Sequence, residues 1–352
     1  MVAIVSLIIM AVAIYLLSII TDEFFIESLD KIAQLWQLPS NVAGASLMAM
    51  GSSAPELSIA LFALFLGGGE NSDVGIGTIV GSAVFNILVI TGVSAIARPA
   101  RITWQVVLRD CAIYVVSILL LLVAFADGSI STLEALAFLG VYGIYIFVLF
   151  QWNKYMPEEA VIEENPIEVS AEGRQTAGLY YQISGSITKV IRLLTGDPGK
   201  AYVRAFIVSI IFIAAISWVL VESAVAFAEA VGIPPVIVAL TILAGGTSVP
   251  DMLSSMIVAR QGRGDMAVAN AVGSNIFDIL VGLGLPWLVA ILVYGDSILV
   301  GTDDLWTSTL ILLSTVVVLF VFLSTERTLS RREGWTLLGV YVAYVSWTWL
   351  GG

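Results

Sequence analysis

Apolar residues run through this chain in long blocks. Short polar stretches divide them into ten segments, approximately 2–33, 40–66, 74–97, 104–126, 131–150, 202–230, 234–260, 265–293, 305–325 and 334–351. A bilayer core of about 30 Å takes roughly 20 residues of helix, so each segment is predicted to cross a membrane. The expected fold is an all-α polytopic membrane protein of ten transmembrane helices. The first block, Val2 to Ile20, lacks the charged leader and small-residue cleavage site of a secretory signal and is expected to remain as a helix.

Polar residues inside two of these blocks repeat each other. Gly51-Ser52-Ser53-Ala54-Pro55-Glu56 recurs as Gly246-Thr247-Ser248-Val249-Pro250-Asp251. Each is followed by a second signature, Gly81-Ser82-Ala83-Val84-Phe85-Asn86 and Gly273-Ser274-Asn275-Ile276-Phe277-Asp278. At an offset of 195 the first match extends back without a gap to Glu27-Ser28 against Glu222-Ser223, with Pro39 on Pro234 and Ala49 on Ala244. Five predicted spans separate equivalent positions, and five is odd, so the copies must cross the membrane in opposite directions. Such inverted repeats place ion sites near the midplane, where the two copies meet. The expected organisation is a first half, 1–150, a cytoplasmic linker, 151–201, and an inverted second half, 202–352.

Basic residues give an independent check on the count. Lys31 lies by the first connection, Arg98, Arg101 and Arg109 by the third, and Lys154, Arg174, Lys189, Arg192, Lys200 and Arg204 by the fifth. Arg260 and Arg263 lie by the seventh and Arg327, Arg331 and Arg332 by the ninth, which accounts for all 15 Lys and Arg. The even connections carry acids only, such as Glu70, Asp73, Asp127, Asp296, Asp303 and Asp304. Positive charge stays on the cytoplasmic side, which puts both termini outside, in a cell (inner) membrane.

Composition narrows the chemistry. With 59% hydrophobic residues, 12% charged and a mean hydropathy of +1.00, the chain is far from a soluble protein. The net charge of −12 reflects acids that fall mostly in loops, as a solvated surface would have them. A single cysteine, Cys111, excludes an internal disulfide and a cysteine metal site, and the absence of histidine removes the usual zinc ligand and proton relay. Any bound cation is therefore held by oxygen. No enzyme activity, cofactor or nucleic-acid partner is expected.

The repeated polar residues suit that role. A helical proline removes one backbone hydrogen bond, and Gly51 and the Gly245-Gly246 pair loosen the same places, so the second and seventh helices are expected to be discontinuous near their centres. Freed carbonyls inside a membrane need protein, water or ions to satisfy them. Glu56 and Asp251 stand directly after the two prolines, with no basic residue at that depth, and a buried carboxylate costs several kcal/mol unless liganded. A cation or a proton remains. Calcium takes six to eight oxygens, which Glu56, Asp251 and the carbonyls around Ser52 and Thr247 supply. Sodium is served by neutral oxygens, available as hydroxyls of Ser53, Ser82, Ser248 and Ser274. Ser82 and Asn86, like Ser274 and Asp278, stand four apart on one helix face. Packing of helices through small residues is the simpler account of any one of these serines alone.

The two signatures resemble the alpha-repeats of the cation/calcium exchanger superfamily, and most closely its potassium-dependent sodium/calcium branch. The stretches from Asp73 to Asn86 and from Ala259 to Val268 carry the resemblance. It implies a ten-helix fold and electrogenic antiport by alternating access. It also implies calcium bound centrally by Glu56 and Asp251, with Ser53, Ser82, Ser248, Ser274, Asn86, Asp278 and the carbonyls of Ala49 and Ala244 completing cation sites. Asp251 is the shorter acid found in the potassium-dependent branch. The long cytoplasmic regulatory loop of some animal members is missing.

Asp278 is the imperfection in the repeat, since its counterpart Asn86 is neutral. Ionised, the three carboxylates balance one calcium plus one potassium, or three sodium ions. Protonated, Asp278 leaves two carboxylates for calcium alone, and both readings stand open. The leading expectation is export of calcium in exchange for sodium, with potassium accompanying calcium. A potassium-independent exchanger, a cation/proton exchanger and, more distantly, a calcium channel are the alternatives. Lesser features have plainer accounts: interfacial solvation for Glu27 and Glu222, an inner-leaflet position for 186–195, interfacial anchoring for Trp104, Trp152, Trp347 and Trp349, and packing for Cys111.

Overall fold

The computed structural model describes residues 1–36, 49–65, 71–101, 104–155, 178–260, 264–295, 297–300, 303–324 and 328–351. Pro39, the Gly67-Gly68-Gly69-Glu70 connection, the acids Glu158, Glu159, Glu163 and Glu164, Arg174, and Gln261 to Arg263 lie outside the described residues.

Among the described residues, seven helices are long and apolar enough to cross a membrane: Val2–Ile32, Ser72–Ala97, Thr132–Gln151, Tyr202–Val231, Pro235–Arg260, Ala267–Tyr294 and Leu305–Leu323. Helix also occupies Ala49–Ser52, Ala54–Phe65, Trp104–Ala124 and Arg331–Gly351. The linker contributes Gly178–Thr195, whose last turn is closed by the Arg204 guanidinium donating to the Leu194 carbonyl at 2.8 and 3.1 Å. Val190, Leu193 and Leu194 on that helix are exposed beside Lys189 and Arg192, the mixture an interfacial helix carries.

The proline segments differ from the expected break. In the first, helix stops at Ser52 and resumes at Ala54, with only Ser53 as a turn, and backbone bonds of 3.0 Å from Ser53 to the Ala49 carbonyl and from Leu57 to the Ser53 carbonyl bridge it. In the second, α-helix runs unbroken from Ala244 to Arg260 through Pro250. The irregularity sits earlier, as a π-helical turn over Ala239–Leu243. The helix expected as the seventh span is therefore not discontinuous at its proline. A proline deletes one donor and the rest of the ladder survives; what is lost is the helical partner of the carbonyl four residues back, at Gly51 and at Gly246.

Two short antiparallel sheets tie connections together. β1 (Ala100–Arg101) pairs with β4 (Thr328–Leu329), and β2 (Ser129–Ile130) pairs with β3 (Ile298–Leu299). The Arg98 guanidinium also donates to the Arg260 carbonyl at 3.3 Å, and the Ser72 hydroxyl to the Leu299 carbonyl at 3.1 Å. The helices after β2 and β4 open with the same capping box. Ser131 and Glu134 exchange bonds of 2.8 and 3.4 Å, and Ser330 and Glu333 bonds of 2.7 and 3.3 Å, which satisfies otherwise orphaned N–H groups.

The apolar interior falls into two main bodies. One gathers Met10, Leu17 and Phe24 of the first helix with Ile213, Leu220 and Ala224 of the Tyr202–Val231 helix. The other centres on Ile79, Val84, Tyr114, Phe138, Ile276 and Trp287. The proline-bearing segments lie where these bodies meet, with Ile59 in the first and Ala60 in the second.

Candidate cation site

Close helix approach assembles the site. A Cβ on Gly81 would lie 2.3 Å from the Leu240 carbonyl oxygen and 2.7 Å from the Ala244 Cβ, so only glycine lets the Ser72–Phe85 helix meet the second proline segment. One residue on, the Ser82 hydroxyl stands 3.4 Å from Glu56 Oε1 and 3.3 Å from the Ala244 carbonyl. The Thr247 hydroxyl faces the same Glu56 carboxyl and reaches the Leu243 and Ala244 carbonyls at 3.1 and 3.3 Å. Glu56 belongs to the first turn of the Ala54–Phe65 helix, where a negative charge is favoured by the helix dipole.

Asp278 forms the second centre. The Ser53 and Ser274 hydroxyls, 3.1 Å apart, both interact with its carboxyl. Asn86 reaches the residue after Ser274, its amide donating to Asn275 Oδ1 at 2.8 Å. Asn275 in turn donates to the Ala83 carbonyl at 3.0 Å and the Tyr114 hydroxyl at 2.8 Å. Asn86 and Asp278 each begin a π-helical turn, Asn86–Ile90 and Asp278–Leu283, the irregularity often found at functional positions.

Glu56, Asn86 and Asp278 are 3%, 2% and 1% exposed, and Glu56 Oε2, Asn86 Oδ1 and Asp278 Oδ1 have no hydrogen-bond partner. Three buried acceptors without donors are rare in a folded protein, and a cation, a proton or an ordered water would satisfy them. Glu56, Asp251 and Asp278 feel one another electrostatically, and no described Lys or Arg acts on any of them. Among the described residues no three acidic or cysteine side chains close to metal-binding distance. The acceptors at this centre are accordingly two carboxylates mixed with hydroxyls, an amide and carbonyls, a set suited to hard cations.

The sodium/calcium exchanger protein family matches residues 5–151 and 202–350. This chain belongs to that family. It is 28% identical to human sodium/potassium/calcium exchanger 4 over 94% of this chain and 78% of the relative. It is 31% identical to human sodium/potassium/calcium exchanger 5 over 78% of this chain and 68% of the relative. In fold it is similar to the H+/Ca2+ exchanger CAX, with a TM-score of 0.69 and 16% identity over 97% of this chain and 81% of that one. It is also similar to the sodium-calcium exchanger NCX_Mj, with a TM-score of 0.58 and 21% identity over 98% and 99%. The family is one of transporters, not enzymes, and this exchanger is an integral membrane protein.

The exchanger brings together most of the residues its sequence singles out. Glu56, Ser82, Thr247 and the Ala244 carbonyl form one group, and Ser53, Ser274 and Asp278 another. Asp251 is only partly buried and faces a cleft shared with Ser52 and Thr247. Ser248 is buried. The Ala49 carbonyl, counterpart of Ala244, accepts from the Ser53 N–H at 3.0 Å and from the Ser52 hydroxyl at 3.4 Å. Asn275, Tyr114 and Asp22 escape the sequence reading. Asn275 stands inside the second signature but its first-copy equivalent is Ala83, so the repeat does not mark it. Nothing in the sequence around Tyr114 ties it to Asn275. Asp22 had a signal, an acid inside an apolar block.

Proposed function

We propose that this exchanger exports calcium in exchange for sodium by alternating access, with potassium travelling beside calcium. The observation that carries the reading is that the buried carboxyls of Glu56 and Asp278 each meet a hydroxyl from the opposite repeat, Thr247 for Glu56 and Ser53 for Asp278, and each keep one oxygen without a partner. A site built across the two copies is sensitive to any movement between them. Glu56 and Asp251 hold calcium, helped by Ser52, Thr247 and the carbonyls of Ala49 and Ala244. Sodium takes the hydroxyls of Ser53, Ser82, Ser248 and Ser274, and Asn86 and Asp278 complete the set. Overlap of these oxygens keeps sodium and calcium from loading fully together, which is what antiport requires.

The architecture in this proposal is ten spans in two inverted halves, with both termini outside an inner cell membrane. Support comes from the pairing of connections. β1 and β4 join the third connection to the ninth and Arg98 joins the third to the seventh, all odd, while β2, β3 and Ser72 join only the second, fourth and eighth. The two bodies of packed side chains are the natural units of relative motion.

Potassium enters through charge. With Asp278 ionised, three carboxylates match calcium plus potassium, and the sodium/potassium/calcium exchangers named above are the relatives that support it. The test is calcium uptake into inside-out vesicles. A sodium gradient should drive it, more strongly in potassium than in choline. Uptake driven equally by a proton gradient without sodium would overturn antiport with sodium.

A further inference from the structure

A fourth acid stands outside this constellation. Asp22 lines the same cleft as Asp251, together with Ser18, Thr21, Ser52 and Thr247, and the charge of Asp22 acts on Asp251. The cleft runs between the first helix and both proline segments, and the approach is close: a Cβ on Gly246 would lie 2.4 Å from Ile14 Cδ1. The first helix is π-helical over Thr21–Ile26, immediately at the cleft. Asp22 is exposed to it and accepts a hydrogen bond of 3.3 Å from the Ser18 hydroxyl.

Thr21 provides the independent sign of a ligand. It is 3% exposed, lines the cleft, and its hydroxyl has no hydrogen-bond partner. A helical threonine ordinarily bonds the carbonyl four residues back, as Thr78 and Thr241 do here at 2.8 and 2.7 Å. Thr21 does not, which leaves a buried oxygen free in a cleft that two carboxylates line.

We propose that Asp22, Asp251, Ser18, Thr21 and Ser52 form a second cation subsite, a staging position for a partly hydrated divalent cation on one side of the central site. Two carboxylates with neutral hydroxyls balance a divalent charge and leave a monovalent ion undercompensating them. Calcium tolerates retained water and irregular oxygen geometry, as a half-open cleft demands. Asp251 belongs to both positions, so a calcium ion moves inward by exchanging Asp22 and water for Glu56 and carbonyls. The subsite is one-sided. At the repeat offset, Asp22 corresponds to Ser217, a fully buried residue in the uninterrupted Tyr202–Val231 helix.

The proposal rests on the exchange function above, and its test separates the two. In reconstituted vesicles of each orientation, Asp22→Asn and Asp22→Ser should raise the apparent KM for calcium about fivefold at one face only, the size expected for losing one steering charge. Maximal rate and the KM at the other face stay near wild type, and Asp22→Glu restores the wild-type KM. An unchanged KM at both faces, or an equal rise at both, overturns the staging site. Equilibrium binding of radioactive calcium to purified Glu56→Gln protein gives a readout without transport: residual weak binding that disappears when Asp22→Asn is added supports the subsite, and residual binding indifferent to Asp22 refutes it. Wild-type vesicles without sodium-driven calcium flux would sink the exchange reading while leaving this binding measurement intact.

Discussion

The two proline-carboxylate segments share a residue pattern and hold their acids differently. Glu56 is enclosed, held by Ser82 and faced by Thr247, in a helix interrupted at Ser53. Asp251 lies in a continuous helix and looks into a cleft bounded by the first helix. The signatures that follow differ likewise: Gly81 is pressed against the Leu240 carbonyl, whereas nothing lies within 4 Å of where a Cβ on Gly273 would be. Near-identical local sequences thus occupy different environments in one molecule.

The largest expected effect tests whether both acids matter despite this difference. Glu56→Gln and Asp251→Asn should each reduce sodium-driven calcium flux about a hundredfold or more, since in the proposed site each removes one of two charged ligands from calcium. The protein should still elute as a single folded species. Normal flux in either variant would mean that the partly open acid, or the enclosed one, is not a calcium ligand.

The glycine pair sharpens the contrast in packing. Gly81→Ala should cost about 3 kcal/mol through overpacking against backbone, whereas Gly273→Ala should be neutral or gain up to about 1 kcal/mol from helix propensity. Thermal melting of the two purified variants measures this. Equal losses would show that the close approach is not one-sided.

The charge asymmetry between Asn86 and Asp278 is tested by making the halves alike. Asp278→Asn should leave calcium flux driven by sodium but equal in potassium and in choline. Retained stimulation by potassium would remove Asp278 from the potassium reading.

Where the halves match, effects should match. Ser131→Ala and Ser330→Ala each delete a capping box and should each lower stability by about 1 kcal/mol, with flux unchanged. A large difference between them would show that the corresponding helices carry unequal shares of stability.

Much of this was legible along the chain. Hydrophobic blocks set where helices form, because in a bilayer every backbone group must be bonded internally. The repeat identified Glu56, Ser82, Thr247, Ser53, Ser274 and Asp278, since acids and hydroxyls inside such blocks are costly and stand out. The expected breaks were overstated: a proline announces a lost hydrogen bond but not whether the remaining ladder will bridge it, and at Pro250 it does. The π-helical turns at Asn86 and Asp278 have no composition signal.

The sequence by itself determined the helical blocks, the duplicated polar residues and the placement of basic charge, all consequences of which side chains hydrocarbon and water accept. Only the tertiary structure decided which acid is enclosed and which faces a cleft, that Asn275 ties the Asn86 amide to Tyr114, and that Asp22 and Asp251 line the same cleft. Those facts depend on how closely helices distant in sequence approach one another. That closeness is set by glycines and packed side chains acting across the fold, which no local pattern encodes.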